Sequence, residues 1–163
     1  MTPANPGMAE QPPLVVLTLE LQGELFAIEA AQVYEILDPV PVTDVPGADA
    51  AVNGLINVRG RIVPLADPRR ILGMTLEEGG IDVRFIVLEV VIDGDPVSVA
   101  IRADKVHEVA ELSEADIEAT PRLGVRWPAT FIRGIAKRHG RFVTLLDLGR
   151  VFAALRAGTS LAA

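Results

Sequence analysis

Residues 53–70, NGLINVRGRIVPLADPRR, contain two apolar segments that are separated only by Arg59-Gly60. A two-residue connection with Gly at its second position is typical of the tight turn of a β-hairpin. The pattern therefore predicts two antiparallel strands, over residues 53–58 and 61–66. This hairpin is the unit around which the rest of the chain is organised.

A short helix is predicted directly after the hairpin. Asp67 can cap free backbone amides, and Pro68 has the φ angle that a first helical residue needs. Gly73 is expected to end the helix after little more than one turn. The acidic, Gly-rich segment that follows, residues 74–82, is predicted to be a linker.

The same unit recurs 80 residues later, as RGIAKRHGRFVTLLDLGR at residues 133–150. There it predicts strands over residues 131–136 and 142–146, followed by a helix that Asp147 caps and that ends near residue 156. The residues that are identical in the two copies are Gly54, Gly60, Arg61, Val63, Leu65, Asp67 and Arg70 in the first and Gly134, Gly140, Arg141, Val143, Leu145, Asp147 and Arg150 in the second. Such agreement indicates a duplicated supersecondary unit.

The segments that precede each copy also correspond. Residues 14–21 and 25–28 predict a first hairpin, and residues 33–37 predict a third strand. The corresponding strands of the second unit are predicted over residues 85–92, 97–101 and 106–109. With an offset of 73, Ile28, Val33 and Glu35 match Ile101, Val106 and Glu108.

Each unit has about five short strands and one small helix, which is too little to bury a core as an open sheet but enough for a closed barrel. We therefore predict an all-β fold of two SH3-like five-stranded barrel subdomains, each with a short helix, plus a C-terminal helix. The expected boundaries are a flexible leader over 1–13, a domain over 14–156 with subdomains at 14–80 and 81–156, and a flexible tail over 157–163. A groove lined by Val and Ile is expected where the barrels abut.

Composition excludes several classes of protein. The 163-residue chain has no Cys, so a disulfide framework, a thiolate metal site and a cysteine nucleophile are impossible. No apolar stretch approaches the roughly 20 residues of a membrane span, and the N-terminus does not read as a signal peptide, so the expected location is the cytoplasm. Residues 1–80 carry the whole net charge of −7, which argues against general nucleic-acid binding.

The sequence lacks the residue patterns of a catalytic site. Its two histidines, His107 and His139, occupy non-equivalent places in the two units and are predicted to be surface residues. No metal-ligand spacing, phosphate loop or dinucleotide fingerprint occurs. We therefore predict no catalytic residue, no cofactor and no metal, and we expect that the protein is not an enzyme.

Two residues are not explained by the fold alone. Glu35 lies in the most apolar part of its strand, and Arg59 lies at a hairpin tip. The second unit keeps the acid as Glu108 but has His139 in place of Arg59. Because a duplicated position that diverges is not required by the fold, Arg59 is predicted to serve recognition, paired with Glu35 or with a carboxylate of a partner.

The segment from Asn53 to Leu65 resembles the most characteristic stretch of the CheW family, Gly-x-x-Asn-x-Arg-Gly followed by a Val-Pro strand. The run Val33-Tyr34-Glu35-Ile36 resembles the Val-x-Glu-Ile of that family, and residues 131–135 fit near its end. The resemblance covers roughly residues 14–156. Pro68 departs from it, since Leu is usual after the Asp.

The resemblance implies a non-enzymatic scaffold in bacterial chemotaxis. It would couple the regulatory domain of the histidine kinase CheA to the cytoplasmic tips of transmembrane methyl-accepting chemoreceptors in signalling arrays, without inserting into the membrane itself. Val33, Glu35, Gly54 and Arg59 would belong to the receptor side, and Val42 to the kinase side.

Two alternatives remain open from the sequence. The first is a CheW-like adaptor of another pathway, in biofilm formation or development. The second is a small barrel that binds nucleic acid, which is suggested by the basic cluster Lys137, Arg138 and Arg141 although this cluster also fits a solvated hairpin tip.

Overall fold

A computed structural model describes residues 12–45, 52–119 and 127–162 of the chain. For residues 52–53 and 156–162 it describes the backbone alone. The predicted leader, apart from Pro12 and Pro13, lies outside these residues, as do residues 46–51 and 120–126.

Strands dominate the described residues, as predicted. The strands are β1 (Leu14–Leu21), β2 (Glu24–Glu29), β3 (Val33–Leu37), β4 (Val52–Val58), β5 (Arg61–Ala66), β6 (Arg84–Ile92), β7 (Asp95–Ala103), β8 (Lys105–Leu112), β9 (Ile132–Arg138) and β10 (Arg141–Leu146). The α-helices are α1 (Pro68–Ile71) and α2 (Leu148–Ala162). The linker over 74–82 has no regular element, as predicted.

Four tight hairpin turns shape these strands, and each ends in Gly. Both residues of every turn have a positive φ, which is the geometry whose twist matches a β-hairpin. The turns, with their φ angles, are Gln22-Gly23 (51° and 80°), Arg59-Gly60 (52° and 84°), Asp93-Gly94 (51° and 84°) and His139-Gly140 (51° and 77°). The hairpins that the sequence predicted are confirmed.

The strands form two five-stranded sheets, and each sheet takes strands from both halves of the chain. One sheet has the order β3-β6-β7-β5-β4 and is called here the Arg59 barrel; the other has the order β8-β1-β2-β10-β9 and is called the His139 barrel. The parallel pairs β5–β7 and β2–β10 join the two halves. The predicted subdomains of consecutive residues, 14–80 and 81–156, are therefore wrong.

The exchange has a local cause in two short connections. A single 3-10 turn, Ala30–Gln32, leads from β2 of the His139 barrel to β3 of the Arg59 barrel. Only Asp104 separates β7 from β8, which leads the chain back again. Connections this short redirect the chain into the neighbouring sheet, so that each half contributes to both barrels.

Three apolar layers stack through the molecule. One fills the Arg59 barrel, one fills the His139 barrel, and the largest lies between the two. Along β1, Val16 faces the inside of its own barrel whereas Leu17, Leu19 and Leu21 face the other one. Because successive strand residues point to opposite faces, a strand buried on both sides is apolar at most positions, and Thr18 and Glu20 are the polar exceptions in β1.

This arrangement explains the long apolar runs of the sequence and corrects one expectation. A groove lined by Val and Ile was predicted between the barrels. In the described residues that space is filled instead by the shared core, to which Phe26 and Ile28 contribute from one barrel and Ile86 and Leu88 from the other. All four of these side chains are fully buried.

Each sheet closes into a barrel through one pair of backbone hydrogen bonds beyond its edge strands. In the Arg59 barrel, Thr43 and Leu55 exchange two N–H···O bonds of 2.8 Å each. In the His139 barrel, Glu118 and Ile135 exchange two of 2.9 Å. The predicted pair of five-stranded barrels is thus confirmed.

A glycine makes each closure possible, which explains why Gly54 and Gly134 match in the two copies. A Cβ atom on Gly54 would overlap the carbonyl oxygen of Thr43, and the φ of Gly54 is +153°. A Cβ atom on Gly134 would overlap Cγ2 of Ile117 and lie 2.9 Å from the carbonyl oxygen of Glu118. The closing segment can approach only where no side chain intervenes.

The helices begin where the sequence predicted. Asp67 accepts a hydrogen bond of 3.0 Å from the backbone N–H of Arg69, and Asp147 accepts one of 3.0 Å from that of Arg150. The helix after β10 is also the C-terminal helix, so no separate short α-helix accompanies it among the described residues. It continues to Ala162, past the predicted end near 156 and through most of the predicted tail.

Asp67 does more than cap its helix, which the sequence did not indicate. Both Asp67 and Arg69 are buried, and the guanidinium of Arg69 donates to both carboxylate oxygens at 2.7–3.2 Å. Another nitrogen of Arg69 donates to the carbonyl of Glu77 at 2.5 Å. The pair therefore fixes the linker against the start of α1, since a buried charge needs both its partner and its hydrogen bonds.

Replacement of Gly54 by Ala should destabilise the protein, because the new Cβ meets backbone that cannot move aside and the φ suits glycine. We expect the free energy of unfolding in chemical denaturation to fall by about 1–3 kcal/mol. Gly80→Ala is the matched control, since a Cβ on Gly80 meets nothing within 4 Å. Equal stability of the two variants would contradict the closure described here.

Candidate protein-binding site

Glu35 and Arg59 form a bidentate ion pair at the edge of the Arg59 barrel. Nε of Arg59 donates to the two carboxylate oxygens at 2.9 and 3.0 Å, and its Nη2 lies 2.9 Å from Oε1. The side chain of Glu35 is only 15% exposed, whereas that of Arg59 is 77% exposed. The acid thus anchors a guanidinium that stands out into solvent.

The two residues meet because the barrel brings its edge strands together. Glu35 lies on β3 and Arg59 directly follows β4, and these are the outer strands of the sheet. A register shift between Val33 and Glu35 places one extra residue, Tyr34, on β3 opposite β6. A bulge of this kind re-aims the side chains beside it, and Tyr34 is left 66% exposed next to the pair.

The pair holds Glu35 in its charged form. Hydrogen bonds from Arg59 lower the pKa of Glu35 from its ordinary value of 4.5, and the same hydrogen bonds raise the pKa of Arg59. Glu35 is therefore ionised at neutral pH, and its contribution to stability is present above pH 4.5. That contribution is lost as the pH falls through the lowered pKa of the folded state.

The His139 barrel has a related pair with a different cation. Glu108, the repeat partner of Glu35, lies 3.2 Å from Nε of Arg138 and 3.9 Å from Nε2 of His139. By the repeat, Arg138 corresponds to Val58 rather than to Arg59. The repeat already showed in the sequence that the acid is kept as Glu108, and the structure adds its partner Arg138, which the sequence did not indicate.

The other predicted site residues lie in two further places. Val33 is half-buried and packs against the shared core. Gly54 is buried at the barrel closure, and Cγ1 of Val42 lies 2.9 Å from the place that a Cβ on Gly54 would occupy. Val42, which was assigned to the kinase side, therefore lies beside Gly54, which was assigned to the receptor side. Glu35 and Arg59 form a separate pair.

A cavity of about 160 Å³ opens beside Arg59, at the end of the barrel. Its floor is made by Val58, Val63 and Val87, which belong to the core of the Arg59 barrel. On its rim, Arg61 donates to the hydroxyl of Ser98 at 2.9 Å. No pattern in the sequence predicted this cavity, because it depends on which strands meet at the mouth of the barrel.

The histidines and the basic cluster make contacts within the protein or lie exposed on its surface. His107 contacts the carboxylate of Glu20 on the surface, and His139 is exposed, as both were predicted to be. In the basic cluster, Arg138 pairs with Glu108, and Arg141 donates to the carbonyl of Gly23 at 3.1 Å. Among the described residues, no group of three or more His, Cys, Asp or Glu side chains could hold a metal ion.

Trp127 lies just before the 3-10 turn, Ala129–Phe131, that leads into β9. It is half-buried against the shared core, and its ring centre lies 5.7 Å from that of Phe26.

None of the helices in the described part of the chain has both the length and the apolar character to span a membrane.

The fold and this surface define a small protein of two interlocked β-barrels whose candidate site is a surface for binding other proteins. A family model described as "CheW-like domain" matches residues 15–156. The chain therefore belongs to the CheW-like domain family.

Named relatives and a solved structure agree with this assignment. The "Chemotaxis protein CheW" of Rhizobium meliloti strain 1021 is 32% identical over 137 residues, which cover 84% of this chain and 86% of the relative. The protein of the same name from Thermotoga maritima is 26% identical over 139 residues, covering 83% and 85%. The crystal structure of the scaffolding protein TtCheW from Thermoanaerobacter tengcongensis matches with a TM-score of 0.77 and 28% identity, over 88% of this chain and 91% of that one.

Titration of the Glu35 carboxyl by NMR should give a pKa below 4.5 in the wild-type protein. In Arg59→Ala the value should rise, because the hydrogen bonds that favour the carboxylate are gone. Glu111, an exposed acid of β8 that makes no ion pair with the described residues, provides an internal control whose side-chain NMR signals at neutral pH should be the same in both proteins. An unchanged pKa for Glu35 in the variant would show that the pair does not persist in solution.

Proposed function

We propose that this protein is a non-enzymatic adaptor that couples the histidine kinase CheA to the cytoplasmic tips of chemoreceptors. The observation that carries the proposal is the exposed guanidinium of Arg59, held by Glu35 on a rigid barrel edge in a chain of the CheW-like family. Arginine held in this way can pair with a carboxylate of a partner while it keeps its own.

Two surfaces of the Arg59 barrel serve the two partners. The receptor side includes Glu35 and Arg59, and the kinase side includes Val42, whose side chain is 39% exposed beside the barrel closure. Val33 and Gly54 support the receptor side from within, since one packs against the shared core and the other permits the closure. Location at receptor arrays follows from these contacts.

The alternative of nucleic-acid binding is less well supported. Of the three cations that suggested it, Arg138 is paired with Glu108 and Arg141 is bound to a backbone carbonyl. The ammonium of Lys137 stands 5.9 Å from the ring centre of Phe142. Cations that are engaged within the protein release few counterions on binding phosphates, so they add little affinity for a nucleic acid.

Arg59→Ala should weaken co-sedimentation with a receptor-tip fragment about tenfold or more, while binding to CheA and the midpoint of thermal unfolding stay close to wild type. The loss follows from removal of a charged anchor whose own side chain packs against little else. His139→Ala is the matched control, because it occupies the equivalent turn with the same positive φ.

Three outcomes separate the possibilities. Equal receptor binding by Arg59→Ala and His139→Ala would remove Arg59 from the site. Binding of CheA by the wild-type protein without binding of any receptor tip would favour an adaptor of another pathway. Failure to bind either partner would defeat the proposed function.

A further inference from the structure

The mouth of the Arg59 barrel differs from that of the His139 barrel at the last residue of β4, which the repeat aligns with the last residue of β9. In the His139 barrel the position is Arg138, which reaches across to Glu108. In the Arg59 barrel it is Val58, and the cation has moved one residue outward to Arg59. The acid is paired with an arginine in both barrels, and in the Arg59 barrel the last strand position is the apolar Val58, which lines the mouth.

The cavity at this mouth is an extension of the barrel core to the surface. Val58, Val63 and Val87 are each 7% exposed or less and form its floor. Glu89 and Ser98, opposite each other on β6 and β7, complete the wall. An apolar floor within a polar rim is the arrangement in which interface anchors are buried.

The size of the cavity limits what it can hold. Pockets for drug-sized ligands and cofactors occupy roughly 300–1,000 Å³. At about 160 Å³ the cavity has room for one side chain and is too small for such a molecule. The occupant is therefore part of a larger partner that the surrounding surface also contacts.

The rim indicates what should accompany that side chain. Arg61 uses one N–H donor for its hydrogen bond to the hydroxyl of Ser98, and it forms no ion pair with any of the described residues. A guanidinium has five N–H donors, so most of those of Arg61 remain for a partner, beside the exposed Arg59. Arg61 is therefore the cation of this rim that can pair with a carboxylate of a partner, at a mouth that the acid Glu89 also lines.

We propose that the mouth of the Arg59 barrel binds one aliphatic or aromatic side chain of the receptor tip, with an adjacent carboxylate of the receptor paired to Arg61. The proposal rests on the proposed function. It assigns the pocket to the receptor because Arg59 forms part of both the receptor side and the rim of the pocket. The pocket supplies the apolar anchor, and the two arginines supply orientation.

Two variants of Ser98 test the pocket. Ser98→Leu fills the mouth and should weaken binding of a purified receptor-tip fragment at least tenfold in isothermal titration calorimetry. Ser98→Ala removes the hydroxyl but leaves the cavity empty, so it should bind within about threefold of wild type. Binding of CheA, measured in parallel, should be unchanged in both variants.

A second measurement, by NMR, tests the pocket in the wild-type protein and needs no variant. In wild-type protein with labelled valine methyl groups, addition of the receptor-tip fragment should shift the NMR signals of Val58, Val63 and Val87. The valines of the His139 barrel core, Val16 and Val143, provide the control and should not shift.

The outcomes distinguish this proposal from the proposed function. If the wild-type protein binds the receptor tip but Ser98→Leu binds equally well, or the three floor valines do not shift, the pocket is not the subsite. Loss of CheA binding instead of receptor binding in Ser98→Leu would overturn the assignment to the receptor. If the wild-type protein binds no receptor tip at all, the proposed function itself fails.

Discussion

The apolar layer between the two barrels is the contact on which the rest of the structure depends. Strands β1, β2, β6 and β7 each bury one face inside their own barrel and the other face in this layer. A five-stranded barrel of about 70 residues has too small a core to be very stable alone, so a second buried face on four of its strands matters. The exchange of strands reinforces the layer, because neither barrel can be completed from one half of the chain.

On this shared base, small local differences give the two barrels different surfaces. Both barrels close through a glycine, both carry an acid on the third strand of the repeat, and both pair it with a cation at the opposite edge. What differs is whether that cation occupies the last position of the strand or the first position of the turn. In the Arg59 barrel it stands in the turn, so the guanidinium is exposed and the mouth beneath it keeps an apolar floor. Duplication supplied the scaffold, and divergence at two neighbouring positions supplied the candidate site.

Much of the fold could be predicted from the sequence, because hairpin turns and alternation are local. Short stretches of sequence were enough to predict the four X-Gly turns, the helix caps at Asp67 and Asp147, and the repeat. The exchange of strands between the two sheets could not be predicted. It depends on long-range parallel pairs, such as Leu65 with Ala100, that no local pattern encodes. For the site, the pairing of Glu35 with Arg59 was one of two stated options, while the contact of Val42 with Gly54 and the cavity at the mouth require the folded barrel. The nearly continuous apolar run of β1 predicted a strand, but not that its second face packs against another barrel.

If the shared layer and the exchanged strands make one folding unit, the two barrels must unfold together. Native-state hydrogen exchange tests this most directly, by comparing the slowest amides of β5 in the Arg59 barrel with those of β10 in the His139 barrel. The same opening free energy, with the same dependence on denaturant, is expected for both sets. Exchange of one barrel at a clearly lower free energy while the other stays protected would contradict this account.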